Sequence, residues 1–89
     1  MNEYTGILLY EPELRFTRMG REVCTFYLKC DPPNDRISCV TWEKVARKVI
    51  EKEFKKGDKL DVAGIWQSRT FNGKVYRELN VRHFQQSSD

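Results

Sequence analysis

Eighty-nine residues are enough for one domain, which buries a little over roughly 60% of its unfolded surface, and too few for two cores. Hydrophobic residues at 39% against 33% charged exclude the apolar-poor composition of a disordered chain, and no apolar run approaches the roughly 20 residues of a membrane span. Sixteen Lys and Arg against thirteen Asp and Glu leave a net charge of +3, which a solvated surface explains as readily as an acidic ligand does.

The N-terminal Met1-Asn2-Glu3-Tyr4 lacks the basic-then-apolar order of a secretory signal, so a cytoplasmic protein is expected. Residues 3–10 are rich in Tyr, Thr, Ile and Leu and predict a first strand. Pro12 bends it, and Leu14 and Phe16 then alternate with Arg15 and Thr17, so the segment reads as one broken strand. Arg18-Met19-Gly20-Arg21 supplies a turn with glycine where a positive φ is tolerated. Solvation of that turn accounts for Arg15, Arg18 and Arg21 about as well as phosphate contact does.

From Val23 to Cys30 the alternation is clean, with Cys24, Phe26, Leu28 and Cys30 on one face and Val23, Thr25, Tyr27 and Lys29 on the other. Asp31-Pro32-Pro33-Asn34-Asp35 is a turn, and Arg36 to Trp42 is the next strand, with Ile37, Cys39 and Thr41 inward and Arg36, Ser38, Val40 and Trp42 outward. Cys24, Cys30 and Cys39 are an odd set without C-x-x-C spacing, so they read as buried thiols rather than a disulfide framework or a zinc site.

The period then changes. Val45, Ala46, Val49, Ile50 and Phe54 recur at helical spacing, and Lys44, Arg47, Lys48, Glu51 and Lys52 cover the other side, which predicts about three turns. Thr41 is the expected N-cap, and Lys55-Lys56-Gly57 the expected basic last turn and glycine stop. Lys59 to Phe71 is a long strand in which Gly64 marks a bulge or bend. Trp66 shares the inward parity of Leu60 and Val62 and is expected in the core. Asn72-Gly73 is a hairpin turn leading into a last strand from Val75 to Phe84. Residues 85–89 are expected to be a mobile tail, leaving residues 1–84 as the domain. A lone histidine, His83, completes no catalytic or metal set.

Three strands, one short helix and two strands fit an all-β, five-stranded antiparallel OB-fold barrel with the helix between the third and fourth strands. Such barrels bind oligonucleotides, oligosaccharides or proteins, so the side chains must decide among them.

Four segments, in order, resemble the bacterial single-stranded DNA-binding protein family. They are Glu11-Pro12-Glu13-Leu14-Arg15-Phe16-Thr17, Ile37-Ser38-Cys39-Val40-Thr41-Trp42-Glu43-Lys44, Lys55-Lys56-Gly57-Asp58 and Val62-Ala63-Gly64-Ile65-Trp66-Gln67-Ser68-Arg69. The resemblance spans about residues 4–84. It implies binding of single-stranded DNA, largely independent of sequence, in replication, recombination or repair. It places the stacking rings on Trp42 and Phe71 and the phosphate-contacting cations on Lys44 and Arg69. Two positions often aromatic in the family are Asn34 and Arg36 here, and Arg36 can stack through its guanidinium plane or pair with phosphate. Tyr27 serves equally as a third ring or at a subunit contact, and Arg15 completes the candidate set.

The family habit implies a homo-oligomer, a dimer or tetramer, with replication or repair proteins as further partners. The chain as given ends at Asp89 without the acidic tail typical of the family, which is the expectation for a short member. The rival reading is a protein-interaction OB module resembling primosomal replication protein N, with nucleic-acid binding secondary. RNA remains open as a ligand, because stacking and phosphate contacts do not read the sugar. An enzyme would need clustered carboxylates for a metal and a base; none is visible, so neither catalysis nor a cofactor is expected.

Overall fold

The computed structural model describes residues 1–87. Its elements are β1 (Asn2–Leu8), β2 (Glu13–Phe16), β3 (Glu22–Cys30), β4 (Arg36–Trp42), α1 (Glu43–Glu51), β5 (Lys59–Phe71) and β6 (Lys74–Gln86). The broken first strand is thus two strands, and in this count the helix lies between β4 and β5. None of the described helices is long and apolar enough to cross a membrane.

The sheet runs in the order β1-β5-β6-β4-β3-β2, and β1 pairs with β3 as well as with β5. Five strands therefore close on themselves, and β2 extends β3 outside the ring. The all-β OB expectation is borne out with one refinement. Antiparallel alternation cannot be kept around an odd-membered ring, and the conflict falls between β4 and β6, which pair in parallel at Cys39 with Leu79 and Val40 with Asn80.

The alternation of β3 is reproduced. Cys24, Phe26, Leu28 and Cys30 are buried beside Leu8, Ile37, Leu60, Val62, Leu79 and Val81. Helix α1 lays Ala46 and Val49 on this core, and Phe54 meets Phe84 edge to face at 5.9 Å. Val40 departs from its parity, buried at 3% exposure outside the main cluster. Phe16 stands exposed.

Both helix ends differ from expectation. Thr41 is still inside β4, fully buried, and its hydroxyl donates to the carbonyl of Cys24, so Trp42 occupies the N-cap without a side-chain bond. Helix α1 stops at Glu51, well before Gly57, because Glu53 itself takes a positive φ of 52°. Gly57 instead donates its N–H to Leu8 in the turn entering β5.

Trp66 keeps its inward parity but is only half-buried. Its indole N–H donates to the Tyr4 hydroxyl at 2.7 Å, and Arg77 lies over its ring. The indole sits at the core margin because β5 and β6 run on beyond the ring as a hairpin with no opposing layer. The expected tail is partly sheet. Gln85 pairs with Asp61, β6 continues to Gln86, and Ser87 donates its N–H to Lys59, while residues 88 and 89 lie outside the described residues.

The three cysteines are free and buried, as their spacing implies. Burial pushes the Cys24 thiol up to about 11 and that of Cys39 higher still. At neutral pH they stay protonated, and the thiolate is the reactive form. Native protein at pH 7.5 is expected to react with a thiol-specific reagent far more slowly than urea-unfolded protein, with the native rate rising as pH climbs toward 11. Comparable rates in the two states would show that the core opens readily.

Candidate nucleic-acid interface

The outward face of the β2-β3-β4-β6-β5 sheet collects most of the sequence-predicted residues by register. Arg15 lies opposite Val23, which lies opposite Trp42, and Tyr27 lies opposite Ser38 one step from Arg36. On the far side, the Asn72-Gly73 turn has both central residues at positive φ, 51° and 76°, the geometry of a two-residue type I′ hairpin. That turn fixes Phe71 opposite Lys74 and Arg69 opposite Tyr76. Phe71 is 57% exposed, as befits a ring beside a turn with no core to enter. Lys44 is the exception, exposed in the first turn of α1 rather than on the sheet.

Three of the rings on this face carry cations. Arg36 sits 4.5 Å from the Tyr27 ring centroid, Arg21 4.4 Å from that of Trp42, and Arg69 5.3 Å from that of Tyr76. Tyr10 meets Tyr27 edge to face at 6.3 Å. Arg69 also ion-pairs with Glu78, a buried carboxylate on the same face, so part of its charge is offset within the fold while its side chain stays largely exposed. Arg21 is held through Glu43, to whose carboxylate it donates at 2.8 and 3.2 Å. Glu43 has a φ of 52°, a left-handed turn that swings the chain from β4 into α1 just after Trp42 and brings the carboxylate to Arg21.

Where the parallel seam ends, β4 and β6 part and a cleft of about 510 Å³ opens. Trp42, half-buried, forms one wall with Val45 and Arg21; Gln67, Asn80, Val81 and Arg82 form the rest. Arg82 gets there through a bulge. Ala63 pairs with His83 and Gly64 with Val81, which leaves Arg82 as the extra residue. A second cleft, of about 540 Å³, lies on β1, β5 and β6 with Glu3 and Asp61 in its lining, a poor setting for an anion.

Tyr76, Gln67, Asn80 and Arg82 were missed in the sequence. Counting outward from Asn72-Gly73 places Tyr76 opposite Arg69 and was the available signal. The carboxamides needed the β4–β6 seam, which no local pattern announces.

A model described as the single-strand binding protein family matches residues 4–87. The chain belongs to that family. It is 38% identical over 85 residues to Single-stranded DNA-binding protein 3 of Listeria innocua, covering 85% of this chain and 52% of the relative. To Single-stranded DNA-binding protein A of Bacillus subtilis it is 33% identical over 92 residues, 93% of this chain and 53% of the relative. The chain thus spans about half the length of the curated family members it matches.

Among solved structures, the single-stranded DNA binding protein from Thermus aquaticus superposes with a TM-score of 0.81 at 21% identity, over 100% of this chain and 41% of that one. The SSB domain of a Synechococcus sp. protein gives 0.76 at 20% identity, over 97% of this chain and 96% of that one. At such identities the likeness establishes the family fold.

Proposed function

We propose that this chain binds single-stranded DNA, largely without regard to sequence, and serves replication, recombination or repair by binding rather than catalysis. The observation that carries the reading is one continuous sheet face on which Tyr27, Trp42, Phe71 and Tyr76 alternate with Arg15, Arg36 and Arg69. Flat rings stack any base and cations follow the phosphates, and base faces are free only in unpaired strands. Trp42 and Phe71 are the principal rings. Arg36 and Lys44 are the phosphate contacts, and Arg69 works from its pair with Glu78. The names of the bacterial relatives support the same ligand. A single barrel engages only ~4–16 nucleotides, so a homo-oligomer, dimer or tetramer, is part of the proposal, as is a cytoplasmic site of action.

Affinity for oligo(dT) is expected to exceed that for duplex of equal length by a wide margin, measured by anisotropy. Lys44→Ala or Arg36→Ala should flatten the plot of log affinity against log salt by about 0.7 each, the value per single-strand phosphate contact. A preference for duplex overturns the reading. Unchanged slopes in both variants move it toward the protein-interaction module, with light-scattering mass in the presence of oligo(dT) showing whether any complex forms.

A further inference from the structure

We propose that the free edge of β2 docks an extended segment of a partner protein, added as a further antiparallel strand with the residue order apolar, acidic, apolar, basic. This docking is independent of nucleic-acid binding.

Strand β2 ends the sheet, and among the described residues it pairs with β3 alone. Thr17 donates its N–H to the Arg21 carbonyl, which makes these two a hydrogen-bonded pair of the antiparallel ladder. Such pairs alternate with open ones, so Arg15 and Glu13 also turn their backbone groups toward β3. Leu14 and Phe16 turn theirs outward. Their N–H and C=O groups stand along the edge as the template for one more strand. At four residues β2 is short enough to limit indiscriminate edge pairing, which leaves selection to the side chains.

The flank beside this edge has places for them. Leu14 and Phe16 share the face turned toward α1, where Leu14 packs on the core margin with Ile50. Phe16 is 67% exposed, an apolar ring without cover. Between the segment leading into β2 and the end of α1 lies a hollow of about 170 Å³, lined in part by Pro12, Val49, Ile50 and Phe54. It is small against the ~300–1,000 Å³ of ligand pockets and has the scale of one aliphatic side chain. An edge strand, a helix and a hollow between them make a groove in which main-chain bonds hold a peptide and alternate side chains select it.

Charge sets the order of residues. On an added strand, the residues opposite Phe16 and Leu14 face α1 and are apolar, the second of them aimed at the hollow. Those opposite Arg15 and Glu13 face the other way, where opposite charges across strands attract and like charges repel. Neither Arg15 nor Glu13 has an ion-pair partner among the described residues, so an acid suits the first and a base the second. Antiparallel pairing is the more stable kind, and it meets Phe16 first and Glu13 last.

The test uses the full chain and a fluorescent, end-capped peptide with the core Val-Glu-Leu-Lys, followed by anisotropy and amide exchange. The Leu14 and Phe16 amides are expected to exchange freely in the protein alone and at least about tenfold more slowly under saturating peptide. N-methylation of the peptide's Val and Leu, whose N–H groups face β2, should cost about tenfold or more in affinity, and N-methylation of its Glu less than about twofold. The charge-swapped core Val-Lys-Leu-Glu should bind about fivefold or more weakly than the parent. Phe16→Ser, with circular dichroism confirming the fold, should weaken the peptide about threefold or more and leave oligo(dT) affinity unchanged. No binding at millimolar peptide, equal affinity for the charge-swapped core, or a loss that ignores which nitrogen is methylated each overturns the site. Leu14 and Phe16 amides already protected in the free chain, in an oligomer by light scattering, overturn it too, because the edge then belongs to a second copy.

Discussion

Gly64→Ala is expected to destabilise the protein by about 3 kcal/mol or more, at or beyond the upper end of ordinary overpacking. Gly64 is buried in β5 beside the bulge of β6. A Cβ there would stand 2.8 Å from the Asn80 carbonyl carbon and 2.9 Å from Val81 Cα, with the Asn80 carbonyl oxygen nearer still. All three are backbone atoms of a paired strand, so no rotamer change relieves the clash. β5 and β6 must separate locally, and the pairs Gly64 with Val81 and Ile65 with Asn80 weaken. Urea titration followed by far-ultraviolet circular dichroism measures the loss, and a value under about 1 kcal/mol would mean that the ribbon yields where its geometry says it cannot. Asn80 and Arg82 flank the contact, so a folded fraction of this variant should also bind oligo(dT) less well.

Trp42→Ala and Phe71→Ala are each expected to cost about 1–3 kcal/mol of oligo(dT) affinity, roughly 5- to 150-fold, while the salt dependence stays close to the parent's. Stacking releases no counterions, so ring loss and charge loss separate on the same plot. Phe71 projects from a hairpin at 57% exposure, and its loss should leave stability unchanged. Trp42 is half-buried and carries Arg21, so its truncation should lower stability modestly as well. Equilibrium titrations at several salt concentrations settle both. Two ring variants that bind like the parent would leave basic side chains as the only source of affinity and favour the interaction-module reading.

Features written in local periodicity were readable before the structure. The two-residue alternation of β3, the helical spacing of Val45, Ala46 and Val49, and the Asn72-Gly73 turn each depend on neighbours within one element, and each appears as expected. The outward parity of Trp42 and Arg36 followed from the same counting. What escaped depends on closure. The parallel β4–β6 seam comes from an odd ring, the half-burial of Trp66 from a hairpin that outruns the barrel, and the loss of Thr41 as a cap from its place in the core. The ion pair of Arg69 with Glu78 joins residues on opposite arms of the hairpin. It gives the expected phosphate ligand a carboxylate partner that local periodicity does not announce.

Closure through β1 also fixes the order in which the molecule can be completed. Asn2 pairs with Gly64, and the Tyr4 hydroxyl accepts from Trp66 across 62 residues, so β1, made before β5, waits for it before its second edge is satisfied. The entropy of closing so long a loop grows only slowly with length, but partners this distant slow the search for them. During that interval one edge of β1 presents unpaired N–H and C=O groups to any neighbouring chain. Strand β1 is therefore the part of a growing or refolding chain most open to strand exchange, and its protection depends on partners as far as 62 residues further along the chain.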